Sequence, residues 1–306
     1  MTIELADMAA FAKVVEKGSF TAAAADLTVT PSAISKLVAR LEQHLGVRLM
    51  TRTTRKLVLT PEGELYLSHA LRILREIALA EDEVTASASE PRGRLHINAS
   101  TAFVNNALMP ALPAFLERYP VIECEISASD RVSDLASENI DVAIRLGPVR
   151  DETLVVRRLT DAHRVICASP DYLRRFGTPH TPHALANHAC LFVATAPHLA
   201  NWPFVIDGTP TTVRVGSRVR ADNSEALLRL ALAGYGVLRS ADIVVVDAIR
   251  KGALVPLLQG THQVEPVPVS AVFLPGRQRS RAVRVLIDFL VERFAGASWR
   301  AGIAKP

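Results

Sequence analysis

The sequence lacks most of the features that would announce chemistry. Its three cysteines, Cys124, Cys167 and Cys190, are an odd number with no metal-ligand spacing, so neither a disulfide framework nor a zinc site is indicated. They read as buried, reduced thiols. There is no Gly-Lys-Ser/Thr phosphate loop, no nucleophile elbow and no His-Glu-x-x-His pair, which leaves no footing for the usual hydrolytic chemistries. The nine histidines are scattered, and His180, His183 and His188 lack a fourth ligand at zinc spacing. No metal and no cofactor is expected. No run of about eighteen apolar residues is present. Glu4 and Asp7 stand where a signal peptide would be basic and then apolar. Internal repeats and low-complexity tracts are missing as well. These absences together read as a non-enzymatic protein of the cytoplasm.

What is present is an ordinary globular composition, 49% hydrophobic and 22% charged over 306 residues, enough for two or three units with ample core. The net charge of +4, from 35 Lys and Arg against 31 Asp and Glu, permits a nucleic-acid partner without demanding one. The basic excess is local. Between Lys36 and Lys56 stand Arg40, Arg48, Arg52 and Arg55, against Glu42 alone, a bias that suits a phosphate backbone.

That basic stretch contains the most informative helix. Thr30 is a good N-cap, Pro31 fits the first helical position, and Gly46 is placed to end the helix. Ile34, Val38, Leu41 and Leu45 recur on one face, with Ser32, Ala33, Ser35, Lys36 and Arg40 on the other. A first helix carries Leu5, Met8, Ala12 and Val15 and stops at Gly18; a second follows the Ser19 cap and is rich in alanine, which permits close helix approach. Val47–Met50 and Leu57–Leu59 are β-compatible, joined by the basic tip Thr51–Lys56. The reading is a winged helix-turn-helix. Ser32, Ala33, Ser35 and Lys36 are expected at base edges; Thr30, Arg40, Arg52, Thr53, Arg55 and Lys56 are expected at phosphates.

From Met8 to Gly63 the chain resembles the DNA-binding module of the LysR-type transcriptional regulators. The resemblance rests on Phe11, Val15, Gly18-Ser19-Phe20, Ala23-Ala24, Leu27, Ser35, Leu41-Glu42, Leu45-Gly46-Val47, Leu49, Arg52, Leu59-Thr60 and Gly63. Pro31-Ser32, where many members have Gln-Pro, and the apolar Leu37 depart from the pattern. Both bear on which operator is read.

Thr60-Pro61 opens a long helix to about Ser87. Tyr66, Ala70, Ile73, Ile77, Ala80 and Val84 run along it at coiled-coil spacing, beside a second stripe of Leu67, Leu71, Leu74 and Ala78. In the resembled family this helix pairs two subunits, which implies a homodimer and, through the sensing domains, a homotetramer. Ser87–Gly93 is a polar linker. Beyond it, strand-like and helix-like segments alternate, as in an α/β fold. Strands are expected at Leu95–Ala99, Ile122–Ser127, Asp141–Gly147 and Arg164–Ala168, with helices before Pro120, from Pro170, from Asn223-Ser224 and over Arg281–Phe294.

Pro91–Leu95, Asp141–Gly147, Cys167–Leu173 and Ala231–Val237 continue the resemblance into the family's effector domain, which is similar to type 2 periplasmic binding proteins. The implied fold class is α/β with an N-terminal all-α winged helix-turn-helix, a long linker helix and a C-terminal two-lobed effector domain. The implied domains are 1–60, 61–90 and 91–306, with one lobe over 92–163 and 268–306 and the other over 164–267. The implied effector-binding residues are Ser100, Thr101, Ser129, Arg145 and Asn223. Ser100-Thr101 and Asn223-Ser224 each begin a helix, a ready seat for an anion, and Arg145 suits a carboxylate. A small anionic organic effector is therefore expected. Arg239-Ser240 departs from the family's usual apolar residues and proline. The competing class is a solute-binding or enzymatic α/β protein whose N-terminal helices serve assembly alone.

Overall fold

Side-chain caps set the first helices. The computed structural model describes residues 4–52, 57–85, 90–131, 134–194 and 196–296. Helix α1 (Leu5–Lys17) ends at Gly18 in the left-handed region, φ 67°. Helix α2 (Phe20–Asp26) starts on Ser19, whose Oγ accepts the Ala22 amide at 3.0 Å. Helix α3 (Pro31–Leu45) starts on Thr30 and stops at Gly46, φ 71°. The core joining them holds Ala10, Phe11, Val14, Ala23, Ala24, Ile34, Val38 and Leu41. The inward face of α1 is rotated from the expected stripe. Leu5 is exposed and Val15 half-buried, while Asp7, Phe11 and Val14 turn inward.

The hairpin begins later than the sequence suggests, because Val47 is exposed. Strand β1 (Met50–Arg52) pairs antiparallel with β2 (Leu57–Leu59), Met50 opposite Leu59. Helix α4 (Pro61–Thr85) then departs. Tyr66 meets Phe11 edge-on with centroids 5.7 Å apart, and Ala70 is fully buried. The first turns of the expected coiled-coil seam thus serve the trihelical core; Ile73 and Val84, farther along, are exposed.

The chain divides into two compact units, Met1–Ser89 with Ala136–Asn139, and Glu90–Leu135 with Ile140–Pro306. The second is built on one sheet with the strand order β4-β3-β5-β12-β6-β10-β7. Strand β3 (Gly93–Ala99) lies parallel to β4 (Ile122–Ala128) and β5 (Val142–Leu146). Between β3 and β4 runs a continuous helical stretch: α5 (Thr101–Phe103), a π-helical segment Val104–Leu108, and α6 (Met109–Arg118). Strand β6 (Val155–Ala168) begins nine residues before the expected Arg164. Then follow α7 (Pro170–Phe176), β7 (Cys190–Leu191), the separate hairpin of β8 (Asn201–Ile206) and β9 (Thr209–Arg214), and α8 (Ser224–Leu232). The chain closes with β10 (Val237–Ala241), α9 (Asp242–Arg250), β11 (Val255–Pro256), β12 (Pro266–Phe273) and α10 (Arg281–Phe294).

The first half of β6 pairs with β12, and its second half with β10 and β11. One strand is therefore shared by two groups of strands. Helices α5, α6 and α10 cover the first group, with Phe115 and Phe289 at 5.3 Å. Trp202, Phe204 and Tyr172 fill a core on one face of the second. Cys167 and Cys190 are buried as expected, whereas Cys124, beside Ile122 and Ile126 on the drier face of β4, is only partly so. Burial raises the Cys124 thiol to about 11 and the other two to about 12, so all three are poor nucleophiles at neutral pH. No described helix is long and apolar enough to cross a membrane.

Candidate DNA interface and effector site

The first half of α3 is presented outward because its other face is consumed by packing. Ile34, Val38 and Leu41 are buried, which leaves Ser32 and Lys36 exposed and Ala33 and Ser35 half-buried. The Thr30 hydroxyl accepts the Ala33 amide at 3.2 Å and lies 3.1 Å from Ser32 Oγ. It caps the helix at its exposed end. Arg40, half exposed, is also engaged within the protein. Its Nε and Nη2 grip the Asp7 carboxylate at 2.6–3.0 Å, and Nη2 also reaches Glu4 at 2.8 Å. Asp7 is 2% exposed, and a buried carboxylate without a counter-charge would be costly. The Asp7 hydrogen bond, more than any other influence, raises the Arg40 pKa. Arg40 therefore ties α3 to α1.

Glu42 carries a role that its sequence position alone conceals. It is 9% exposed; Oε1 accepts the Leu49 and Met50 amides at 2.8 and 3.3 Å, and Oε2 accepts Arg48 Nη1 at 3.1 Å. The Leu49 carbonyl accepts the Thr60 amide at 3.0 Å. Thr60 Oγ1 donates to the Arg48 carbonyl at 2.7 Å and accepts the Gly63 amide at 3.0 Å. A Cβ on Gly63 would overlap the Leu49 carbonyl oxygen. The peptide of Leu49 is thus fixed from both sides, and it launches β1 toward the hairpin. Arg52 lies at the end of β1, its side chain outside the described residues, as are Thr53, Arg55 and Lys56. Ser35, Ala39, Glu42, Arg48 and Thr51 line an open groove between α3 and the hairpin.

In the second unit, Ser100, Ser129 and Arg145 come together at the carboxyl ends of β3, β4 and β5, since Ala99 lies opposite both Ala128 and Ile144. The strand order reverses around β3, and open α/β sheets bind ligands at such a crevice. Arg145 Nη1 donates to Asn98 Oδ1 at 2.6 Å, and Asn98 Nδ2 reaches the Ser127 hydroxyl at 3.0 Å. Asn98 has no exposure. Ser100 Oγ accepts the Phe103 amide at 3.4 Å and Asn223 Oδ1 the Ala226 amide at 2.8 Å, so both are helix caps. Ser129 Oγ accepts the Arg131 amide at 3.2 Å.

One residue, missed by sequence reasoning, joins the two helix starts. The Asp130 carboxylate accepts Ser224 Oγ at 3.4 Å and lies beside the Thr101 and Ser224 amides. Its Oδ2 is buried and has no hydrogen-bond partner. Burial, the largest influence, raises its pKa against the pull of these donors. Nearby, Asn106 Nδ2 donates to Glu225 Oε2 at 3.2 Å. No sequence signal marks Asp130 beyond its place just after Ser129. Among the described residues no cluster of three or more His, Cys, Asp or Glu could hold a metal. His180 and His183 are exposed, and His188 Nδ1 lies 3.1 Å from the Tyr172 hydroxyl.

Residues 5–64 match the bacterial regulatory helix-turn-helix protein, lysR family, and residues 88–295 match the LysR substrate binding domain. The chain belongs to the LysR-type family of transcriptional regulators. The HTH-type transcriptional regulator CrgA of Neisseria meningitidis is 37% identical over 286 residues, covering 94% of this chain and 95% of that protein. The solved structure of CrgA superposes with a TM-score of 0.64 at 36% identity, covering 96% of this chain and all of that one. Full-length AphB, a virulence activator of Vibrio cholerae, gives a TM-score of 0.59 at 27% identity, covering 94% of this chain and 99% of that one. This LysR-type regulator is therefore a DNA-binding transcriptional regulator and not an enzyme, with a helix-turn-helix module and a substrate-binding domain of the kind that effectors modulate across the family. Its fold class is the one expected from sequence.

Proposed function

We propose that this regulator reads its operator through Ser32, Ala33, Ser35 and Lys36, with Thr30, Arg40, Arg52, Thr53, Arg55 and Lys56 on the phosphates. The supporting observation is the exposure of Ser32 and Lys36 opposite the buried Ile34–Val38–Leu41 face. Arg40 also positions α3 in this scheme. Each base-edge pair contributes about 1–3 kcal/mol of discrimination. Ser35→Ala should relax base preference. Arg52→Ala should weaken all sequences alike and lower the slope of log K against log salt by about 1. Gel shifts of full-length protein on the DNA upstream of its own gene, repeated over a salt series, measure both; an unchanged slope in Arg52→Ala removes the hairpin from the interface.

The division of labour we infer is 1–60 for DNA, 61–90 for pairing and 91–306 for sensing, in the cytoplasm. Leu65, Ile73 and Val84 leave apolar surface exposed on α4, which supports a homodimer through that helix; a tetramer through the sensing domains rests on the family likeness alone. Two recognition helices on one duplex then sit one helical turn or a multiple apart.

The effector reading takes a specific form. In this reading Asp130, which accepts Ser224 Oγ and lies beside Thr101, fills the anion seat between the two helix starts, and a small anionic effector, also met by Ser100, Ser129, Arg145 and Asn223, displaces it. Asp130→Asn should tighten binding of that effector, while Ser100→Ala and Arg145→Ala weaken it. The raised Asp130 pKa also has a sign that can be checked. The folded state holds this proton more tightly than the unfolded chain, so stability falls as pH rises from the ordinary value of 3.8 through the raised one. Melting curves across that window should show the fall in wild type and a flatter profile in Asp130→Asn; identical profiles would remove the strain from Asp130.

A further inference from the structure

Two arginines and a histidine meet on one face of the sheet where β6 and β10 pair. Arg239 lies opposite Ile166, and Arg164 follows two residues away on the same side of β6, so the side chains are diagonal neighbours. Arg239 Nε donates to His262 Nε2 at 3.0 Å. That nitrogen is an acceptor, so the ring is neutral with its proton on Nδ1. His262 is 9% exposed and meets Phe204 edge-on at 5.9 Å. Arg164 and Arg239 are partly buried and keep an open side.

The charge here is unbalanced. Elsewhere the buried guanidinium of Arg277 lies 3.6 Å from Asp141. Among the described residues, Arg164 and Arg239 have no carboxylate within 4 Å. Glu265 acts on Arg239 from a distance, but it is exposed and accepts Gln263 Nε2 at 3.4 Å. Burial and then Arg164 bring Arg239 down to about 10. Burial, then Arg239 and Arg164, bring His262 down to about 4. Two like charges held side by side against desolvation are costly unless something of opposite sign joins them.

We propose that Arg164, Arg239 and His262 form an oxyanion-binding site that takes a doubly charged group, a phosphate or a dicarboxylate, from a small metabolite. Two guanidinium forks supply planar paired donors for such a group, and two positive charges call for a dianion. The site is separate from the seat that Asp130 fills. The Arg239 position, unusual for the family by its sequence, thereby acquires a role.

The test uses the full-length protein, with inorganic phosphate and malonate as probes and sodium chloride matching the ionic strength. Both probes should raise the melting temperature in a saturable way, and preference for one names the ligand class. Arg164→Gln and Arg239→Gln should each weaken this binding at least tenfold, and Arg164→Lys, which keeps the charge but loses the fork, should weaken it less. His262, followed by its ring resonances, should titrate above about 4 once phosphate is bound, because the anion offsets both arginines. This second reading needs no variant. If neither probe acts beyond chloride and the His262 titration stays fixed, or if the two Gln variants bind as wild type does, the site is refuted.

Discussion

Gly63→Ala should destabilise the DNA-binding unit by about 3 kcal/mol or more, although alanine is ordinarily the better helix former. The propensity gain is at most about 1 kcal/mol. Against it stands a backbone carbonyl, that of Leu49, in the space the new methyl group must enter. A side chain can swing aside. The Leu49 carbonyl cannot, because it accepts the Thr60 amide and the Met50 N–H of its own peptide is held by Glu42. Either α4 moves off the hairpin or β1 shifts. Urea denaturation of the full chain, with the N-terminal transition followed separately, measures the loss. A variant as stable as wild type would show that the corner is soft.

Glu42→Ala should cost about 3 kcal/mol by a different route. The Leu49 and Met50 amides are buried donors, and truncation leaves their desolvation uncompensated. The Arg48 pair adds little, since that side chain is 81% exposed. Glu42→Gln separates the two contributions. It keeps a carbonyl oxygen for the amides and gives up only the charge, so it should retain most of the stability. Equal losses in both variants would assign the effect to charge instead of to the amide acceptors. DNA affinity should follow the same order as stability, since the hairpin is launched from these amides.

What the sequence made legible was local chemistry. Thr30-Pro31, Ser19, Thr60 and Gly46 act within a few residues of themselves, so their caps could be placed without tertiary knowledge. The shared strands were harder. The first half of β6 carries Arg157 and Arg158 side by side, both exposed, which masks the alternation, and β12 opens Pro-Val-Pro, which argues against a strand until the register is seen. Helix α9 is rich in Ile and Val, which suit a strand, and its N-cap Ala241 offers no side-chain capping bond. Asp7 and Glu42 did leave a trace. Each stands at helical spacing from buried apolar residues, Asp7 with Phe11 and Glu42 with Val38, and a lone acid on an apolar face implies a buried partner. Asp130 left none, and of the Arg164–Arg239–His262 group only Arg239 stood out, because both sites are assembled from segments far apart in the chain.

The grip on Leu49 has a mechanical corollary. Its N–H belongs to the recognition helix through Glu42, and its C=O is pressed by the first turn of α4. A twist of the long rod about its axis is therefore geared to the hairpin and the reading head together.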